Sequence, residues 1–211
     1  MDGKDKVAII TGFIEGDFHK ILPDPENYYI VCADSGYKHA FNAGVKPDLI
    51  IGDFDSYKGT LPDDVPVERL PVEKDDTDTG MCTKMMLDRG FRDITIVGGL
   101  GGRFDHTFSN VQTASNACKM GAKIWVKEER NEITVIQNSS ITIPRRDFNK
   151  MGVFALSEYA EGVTIKGAYY EVEDIQLNRY YPVGCSNETT DQEEIFIEVK
   201  EGSLLIVMAR E

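Results

Sequence analysis

The hydrophobic rhythm of the chain changes near residue 130. Before that point, short apolar runs alternate with segments whose apolar residues recur at spacings of three and four. Residues 7–11, 29–33, 49–52 and 94–97 are continuous runs rich in β-branched side chains, the pattern of strands buried on both faces. Residues 67–72 read as a further strand. One helix is predicted to open near Thr77, with Met81, Cys82, Met85 and Met86 on one face. A second opens near Arg103, with Phe104, Phe108, Val111 and Cys118 on one face. Gly90 and Gly121 stand where helix C-caps belong. Strands alternating with helices predict a mostly parallel sheet with right-handed crossovers and helices packed on it.

After residue 130 the helical pattern disappears. Residues 133–136, 141–143, 153–156, 163–165, 195–199 and 204–208 read as short strands separated by turn residues. That spacing predicts an antiparallel sandwich or barrel. The expected architecture is an α/β domain over residues 1–130 followed by a small all-β sandwich domain over residues 131–211, with the boundary at 129–132 and no flexible tether.

Composition narrows the chemistry. With 211 residues, 41% hydrophobic and 28% charged, the chain can bury a substantial core and does not read as disordered. Its formal net charge of -13 excludes nucleic acid as a partner class, because phosphate backbones need clustered Lys and Arg. Polyphosphate in so acidic a setting requires a divalent cation between the two. The first apolar run is too short for a signal sequence, and charges interrupt every later one, so a cytoplasmic location without membrane contact is expected. Cys32, Cys82, Cys118 and Cys185 form no C-x-x-C pair and read as reduced thiols. His19 and His39 read as surface or core residues, and Trp125, in an alternating run, as core.

The acidic residues cluster after predicted strands. Asp34 ends the second, in Ala33-Asp34-Ser35-Gly36. Asp53 and Asp55 follow the third, in Gly52-Asp53-Phe54-Asp55-Ser56. Asp75, Asp76 and Asp78 lead into the first predicted helix, and Gly98-Gly99-Leu100-Gly101-Gly102-Arg103 into the second. In open parallel sheets ligands bind at the carboxyl ends of strands, so these clusters converge on one rim. Any one Asp is explained by a turn or an N-cap. Asp34, Asp53, Asp55 and Asp78 together form a set of hard oxygen donors suited to Mg²⁺, and carboxylates gathered at one rim call for a cation. The glycine turn lacks the Lys-Ser/Thr ending of a P-loop and the spacing of a dinucleotide fingerprint. Its flexibility nonetheless lets backbone N–H groups approach phosphate, and Arg103 adds a bidentate donor. His106 either contacts phosphate or caps and packs.

The ordered set A-D-S-G, P-D-L-I-I-G-D-F-D-S, K-D-D-T-D, G-G-R-F-D-H and S-N-E, spanning residues 33 to 188, closely resembles the thiamine pyrophosphokinase family. The resemblance implies an α/β catalytic domain followed by a β-sandwich, and Mg²⁺-dependent transfer of pyrophosphate from ATP to the thiamine hydroxyl. By the same resemblance, Asp34, Asp53, Asp55 and Asp78 hold metal and the ATP phosphates, with Asp53, Asp55 and Asp78 catalytic. Gly36, Gly101, Gly102, Arg103, Asp105 and His106 contact ATP. Lys74, where some relatives carry Gln, contacts thiamine together with Ser186 and Asn187. Family members are homodimers in which the β domain of one subunit completes the thiamine site of the other. Tyr180 and Tyr181 lie near the S-N-E turn, and core packing is the favoured reading of both. Two other readings remain: a metal-dependent phosphohydrolase with Asp53 as nucleophile, and a nucleotide or thiamine sensor.

Overall fold

A computed structural model describes residues 3–54, 62–71 and 76–211. Asp55 and Lys74 lie outside the described residues. The chain divides into two compact units, Met1–Glu129 and Arg130–Glu211.

The first unit contains the strands β1 (Lys6–Ile10), β2 (Tyr29–Ala33), β3 (Leu49–Gly52), β4 (Val67–Arg69), β5 (Asp93–Val97) and β6 (Lys123–Lys127). They lie in the order β6-β5-β1-β2-β3-β4, with every pairing parallel. The chain reverses its direction of travel across the sheet at β1, and such a reversal opens a crevice at the carboxyl ends of the strands. Ile10 stands beside Cys32 on one side and Val97 on the other, so the loops after β1, β2 and β5 emerge level at one rim.

Among the described residues, four α-helices accompany these strands: α1 (Phe18–Ile21), α2 (Gly36–Asn42), α3 (Asp78–Asp88) and α4 (Phe104–Lys119). Ala8, Ile10, Ile30, Cys32 and Ile50 share a core cluster with Phe18 and Ile21 of α1 and Tyr37 and Ala40 of α2. Side chains alternate across a strand, so Val7, Ile9, Val31 and Ile51 occupy the opposite face, where α3 packs on β1, β2 and β3. Each such fully buried aliphatic side chain contributes about 1.5–3 kcal/mol. Gly90 and Gly121 have φ of +96° and +83°, the left-handed conformation of a helix C-cap, as the sequence predicts.

The second unit contains β7 (Asn131–Gln137), β8 (Ser140–Pro144), β9 (Lys150–Ala155), β10 (Tyr159–Lys166), β11 (Val172–Asn178), β12 (Asn187–Glu188), β13 (Glu194–Glu198) and β14 (Ser203–Ala209). They form two antiparallel layers, β12-β9-β14-β7 and β11-β10-β13-β8, the expected sandwich. Val135, Val153, Leu204, Ile206, Ile143, Val163, Ile165 and Ile197 are its buried rows.

Three expectations are corrected. Phe104 and Phe108 do not form a buried face of α4: they are 79% and 54% exposed, and the helix buries Asn110, Ala114 and Ala117 instead. Small side chains let the helix approach α3 and β6 closely, which places its contact face roughly a third of a turn from the aromatic one. β11 and β12 have no counterpart among the expected strands; β11 is mostly polar and half exposed, and β12 has only two residues. Tyr180 and Tyr181 are not core residues, being 59% and 69% exposed.

Candidate active site

A cleft of about 470 Å³ opens at the level carboxyl ends of the first unit's strands. It brings together Asp34, Asp78, Gly101, Arg103 and His106, five residues expected from the sequence. Thr11, Phe13, Asp76, Thr77 and Asn110 line it as well.

Asp34 follows β2 with φ of +45°, a conformation uncommon for a non-glycine residue, and its N–H donates to the Ile51 carbonyl at 2.7 Å. A Cβ at Gly52 would lie 3.0 Å from the Asp34 Cα, so glycine there lets the ends of β2 and β3 meet closely. Asp53 follows directly and is half-buried. The next residue, Phe54, has φ of +55° and turns its ring into the core, with the Arg69 guanidinium 5.3 Å from the ring centre. Asp78 opens α3 in its first turn, where the positive end of the helix dipole favours a carboxylate. The capping itself falls to Thr77, whose hydroxyl accepts the Gly80 N–H at 3.1 Å, while Asp76 accepts the Thr77 N–H at 2.7 Å.

The glycine turn is tied inward at three amides. Gly98 N–H donates to the Lys127 carbonyl at 2.8 Å and Gly99 N–H to the Phe13 carbonyl at 2.9 Å. Gly101 N–H donates to the Thr107 hydroxyl at 3.0 Å. The buried Asn110 amide donates to the Gly99 carbonyl at 2.9 Å. These three N–H groups are therefore engaged within the protein. A Cβ at Gly98 would lie 2.2 Å from the Phe13 carbonyl, and φ there is +94°, so only glycine fits. Glu128, immediately after β6, stands behind this turn, and its Oε2 accepts the Glu15 N–H at 2.9 Å.

Arg103 is the exposed N-cap residue of α4, and its guanidinium pairs with Asp105 at 2.6 Å. The hydrogen bond from Arg103 holds the Asp105 carboxyl below the usual carboxylate range. Asp105 also accepts the His106 N–H at 3.1 Å. Gly36 is explained by packing: a Cβ there would lie 2.0 Å from the Ile10 carbonyl, so glycine seats α2 on β1.

Among the described residues, no three His, Cys, Asp or Glu side chains stand together as a metal cage. Asp34 and Asp78 face one cleft, and Asp53 follows Gly52, which packs closely on Asp34. These are hard oxygen donors, and their chemistry fits Mg²⁺, which keeps several waters and substrate oxygens in its shell.

In the second unit, Ser186 is exposed with φ of +61°. The buried Asn187 amide is consumed internally. It accepts the N–H groups of Tyr170 at 2.9 Å and Glu188 at 2.8 Å, and it donates to the Tyr170 carbonyl at 2.9 Å. Asn187 thus shapes the turn that presents Ser186. Tyr169 and Tyr170 meet edge to face at 4.8 Å and are both exposed.

Thr11 and Phe13 were missed because no Asp stands directly at the end of β1, as one does after β2 and β3, although the strand-end rule covers them too. Nothing in the local sequence marks Asn110 or Glu128.

Comparison with known proteins adds the following. Residues 24–126 match a domain model described as thiamin pyrophosphokinase, catalytic domain, and residues 138–204 match thiamin pyrophosphokinase, vitamin B1 binding domain. The chain is 28% identical over 162 residues to thiamin pyrophosphokinase 1 of Caenorhabditis elegans, covering 72% of this chain and 66% of that protein. It is 25% identical over 206 residues to thiamine pyrophosphokinase of Bacillus subtilis, covering 92% of this chain and 95% of the relative. The crystal structure of the Bacillus subtilis enzyme superposes with a TM-score of 0.84 at 21% identity, over 98% of this chain and 99% of the other. The yeast thiamin pyrophosphokinase structure gives 0.74 at 16% identity, over 99% and 87%.

Proposed function

This chain belongs to the thiamin pyrophosphokinase family, and we infer that it transfers the pyrophosphoryl group of ATP to the hydroxyl of thiamine, releasing AMP. The observation that carries this reading is the single cleft in which Asp34, Asp78, Arg103 and His106 meet, within a chain that matches both domains of the family. The phosphohydrolase reading is not favoured, since both domain matches and both relatives point to the transferase.

The thiamine hydroxyl oxygen attacks the β-phosphorus in line, and the bond from that phosphorus to the AMP oxygen breaks. Such transfers depend chiefly on positioning and charge neutralisation. Mg²⁺ would be held by Asp34, Asp53 and Asp78, with Asp55, and would supply neutralisation of the polyphosphate charge. Arg103 is already on the cleft wall and is held by an exposed ion pair with Asp105, a weak tie that an incoming phosphate can replace. His106, in the first turn of α4, lines the same cleft and in this reading donates to a phosphate oxygen. Asp78 or Asp55 accepts the proton of the attacking hydroxyl. The thiazolium cation of thiamine suits the acidic rim.

The second unit contributes Ser186, on the turn that Asn187 holds, to thiamine recognition, and the protein works as a homodimer in the cytoplasm. The free, partly exposed Cys118 and Cys185 accord with a reducing compartment. The test is a product assay with ATP, thiamine and Mg²⁺. AMP and thiamine diphosphate should appear in equal amounts and vanish without thiamine or with EDTA. Release of ADP or free phosphate alone would overturn the assignment.

A further inference from the structure

Glu128 is a carboxylate that the reaction itself does not use. It lies at the end of β6, only 4% exposed, directly behind the wall of the cleft. Its Oε2 accepts the Glu15 N–H at 2.9 Å, in the loop that follows β1. The backbone amide of Leu100, in the glycine turn after β5, faces the same carboxylate, Oε1 has no hydrogen-bond partner, and the neighbouring Gly99 N–H ties the turn to the loop after β1 through the Phe13 carbonyl at 2.9 Å. One buried side chain therefore touches both loops whose outer surfaces, at Phe13, Gly99 and Gly101, line the cleft. An ionised carboxylate accepts from N–H groups on both sides, whereas a protonated one keeps a donor that these N–H groups cannot match.

We propose that Glu128 is a positioning residue for nucleotide binding: its ionised carboxylate clamps the loop after β1 to the glycine turn, and protonation loosens both walls of the cleft. The proposal rests on the nucleotide reading of that cleft. Burial pushes the Glu128 carboxyl up to about 7, against the pull of the Glu15, Leu100 and Gly99 amides, so the clamp changes state near neutral pH. Glu15 is the charged side chain that acts on it, and raises it further. The charge that the glycine turn brings, on Arg103, is paired with Asp105 at 2.6 Å. Glu129 is turned away to Lys20 at 2.6 Å and the Asp17 N–H at 2.8 Å, and Lys127 extends over the Trp125 ring at 5.9 Å.

The experiment compares the wild-type protein with Glu128→Gln, which keeps the shape and fixes the neutral state. At pH 8 the KM for ATP should rise about tenfold in the variant, the loss expected for hydrogen bonds to a charged acceptor. The KM for thiamine should not move. As pH falls to 6 the wild-type protein becomes neutral at this site, so the ratio of the two KM values for ATP should shrink towards one. Titration of the ATP phosphates affects both proteins alike and cancels in the ratio. A ratio that stays constant from pH 6 to 8, or equals one throughout, overturns the proposal while leaving the enzymatic assignment intact. A second measurement needs no turnover: the amide resonances of Glu15, Gly99 and Leu100 should titrate together near pH 7 in the wild-type protein and stay flat in Glu128→Gln. Independent or absent titration in the wild-type protein overturns it as well.

Discussion

At the scale of single residues, Asp53 and Asp78 carry the proposed chemistry, and Asp78 is not the cap of α3, a part that Thr77 fills. Asp53→Asn and Asp78→Asn should each lower kcat by about a hundredfold or more while the circular dichroism spectrum stays unchanged. Near-normal turnover in either variant would contradict the proposed acidic site. Glu128 sets a different expectation, on stability. Its folded-state pKa of about 7 stands above the ordinary 4.5, so the folded protein prefers the protonated form. The stability this gives is fully present below about pH 4.5, falls as pH rises through the window, and is gone above about pH 7. Across that window the change amounts to about 3 kcal/mol. Glu128→Gln should therefore improve Tm relative to wild type more at pH 8 than at pH 5. An equal difference at both pH values would contradict the raised pKa.

At the scale of elements, the parallel strands and the two longer helices were legible because buried strands and capped helices leave strong local marks. The continuous runs at β1, β2, β3 and β5, and the glycines at 90 and 121, are such marks. α4 was legible in extent but not in orientation, because hydrophobicity points to Phe104 and Phe108 while close packing selects Ala114 and Ala117. β11 escaped because its residues alternate poorly and only Leu177 is buried. The site followed the same division. Strand ends marked by Asp or Gly were readable, whereas Thr11, Asn110 and Glu128 act through tertiary hydrogen bonds that no local pattern encodes. Gly36 was read as a nucleotide contact, yet its packing against Ile10 explains it without a ligand. Gly36→Ala should thus lower Tm by several degrees, from an overpacking cost of about 1–3 kcal/mol. A variant with lowered ATP affinity and unchanged Tm would restore the nucleotide role.

At the scale of the whole molecule, the chain combines a parallel sheet that gathers acids and glycines at one rim with a sandwich whose surface carries Tyr169, Tyr170, Tyr180 and Tyr181, all well exposed. Exposed aromatics on this scale suit an interface. Sedimentation at micromolar concentration should give twice the 23.6 kDa chain mass, and a monomer would remove the proposed homodimer. The central claim concerns the reaction, and one assay tests it most directly. Purified protein is incubated with ATP, Mg²⁺ and thiamine, and the nucleotide and thiamine products are separated by chromatography. The account predicts AMP and thiamine diphosphate in equal amounts, both lost when thiamine is omitted or EDTA added. ADP, free phosphate, or no product in the presence of all three components would contradict it.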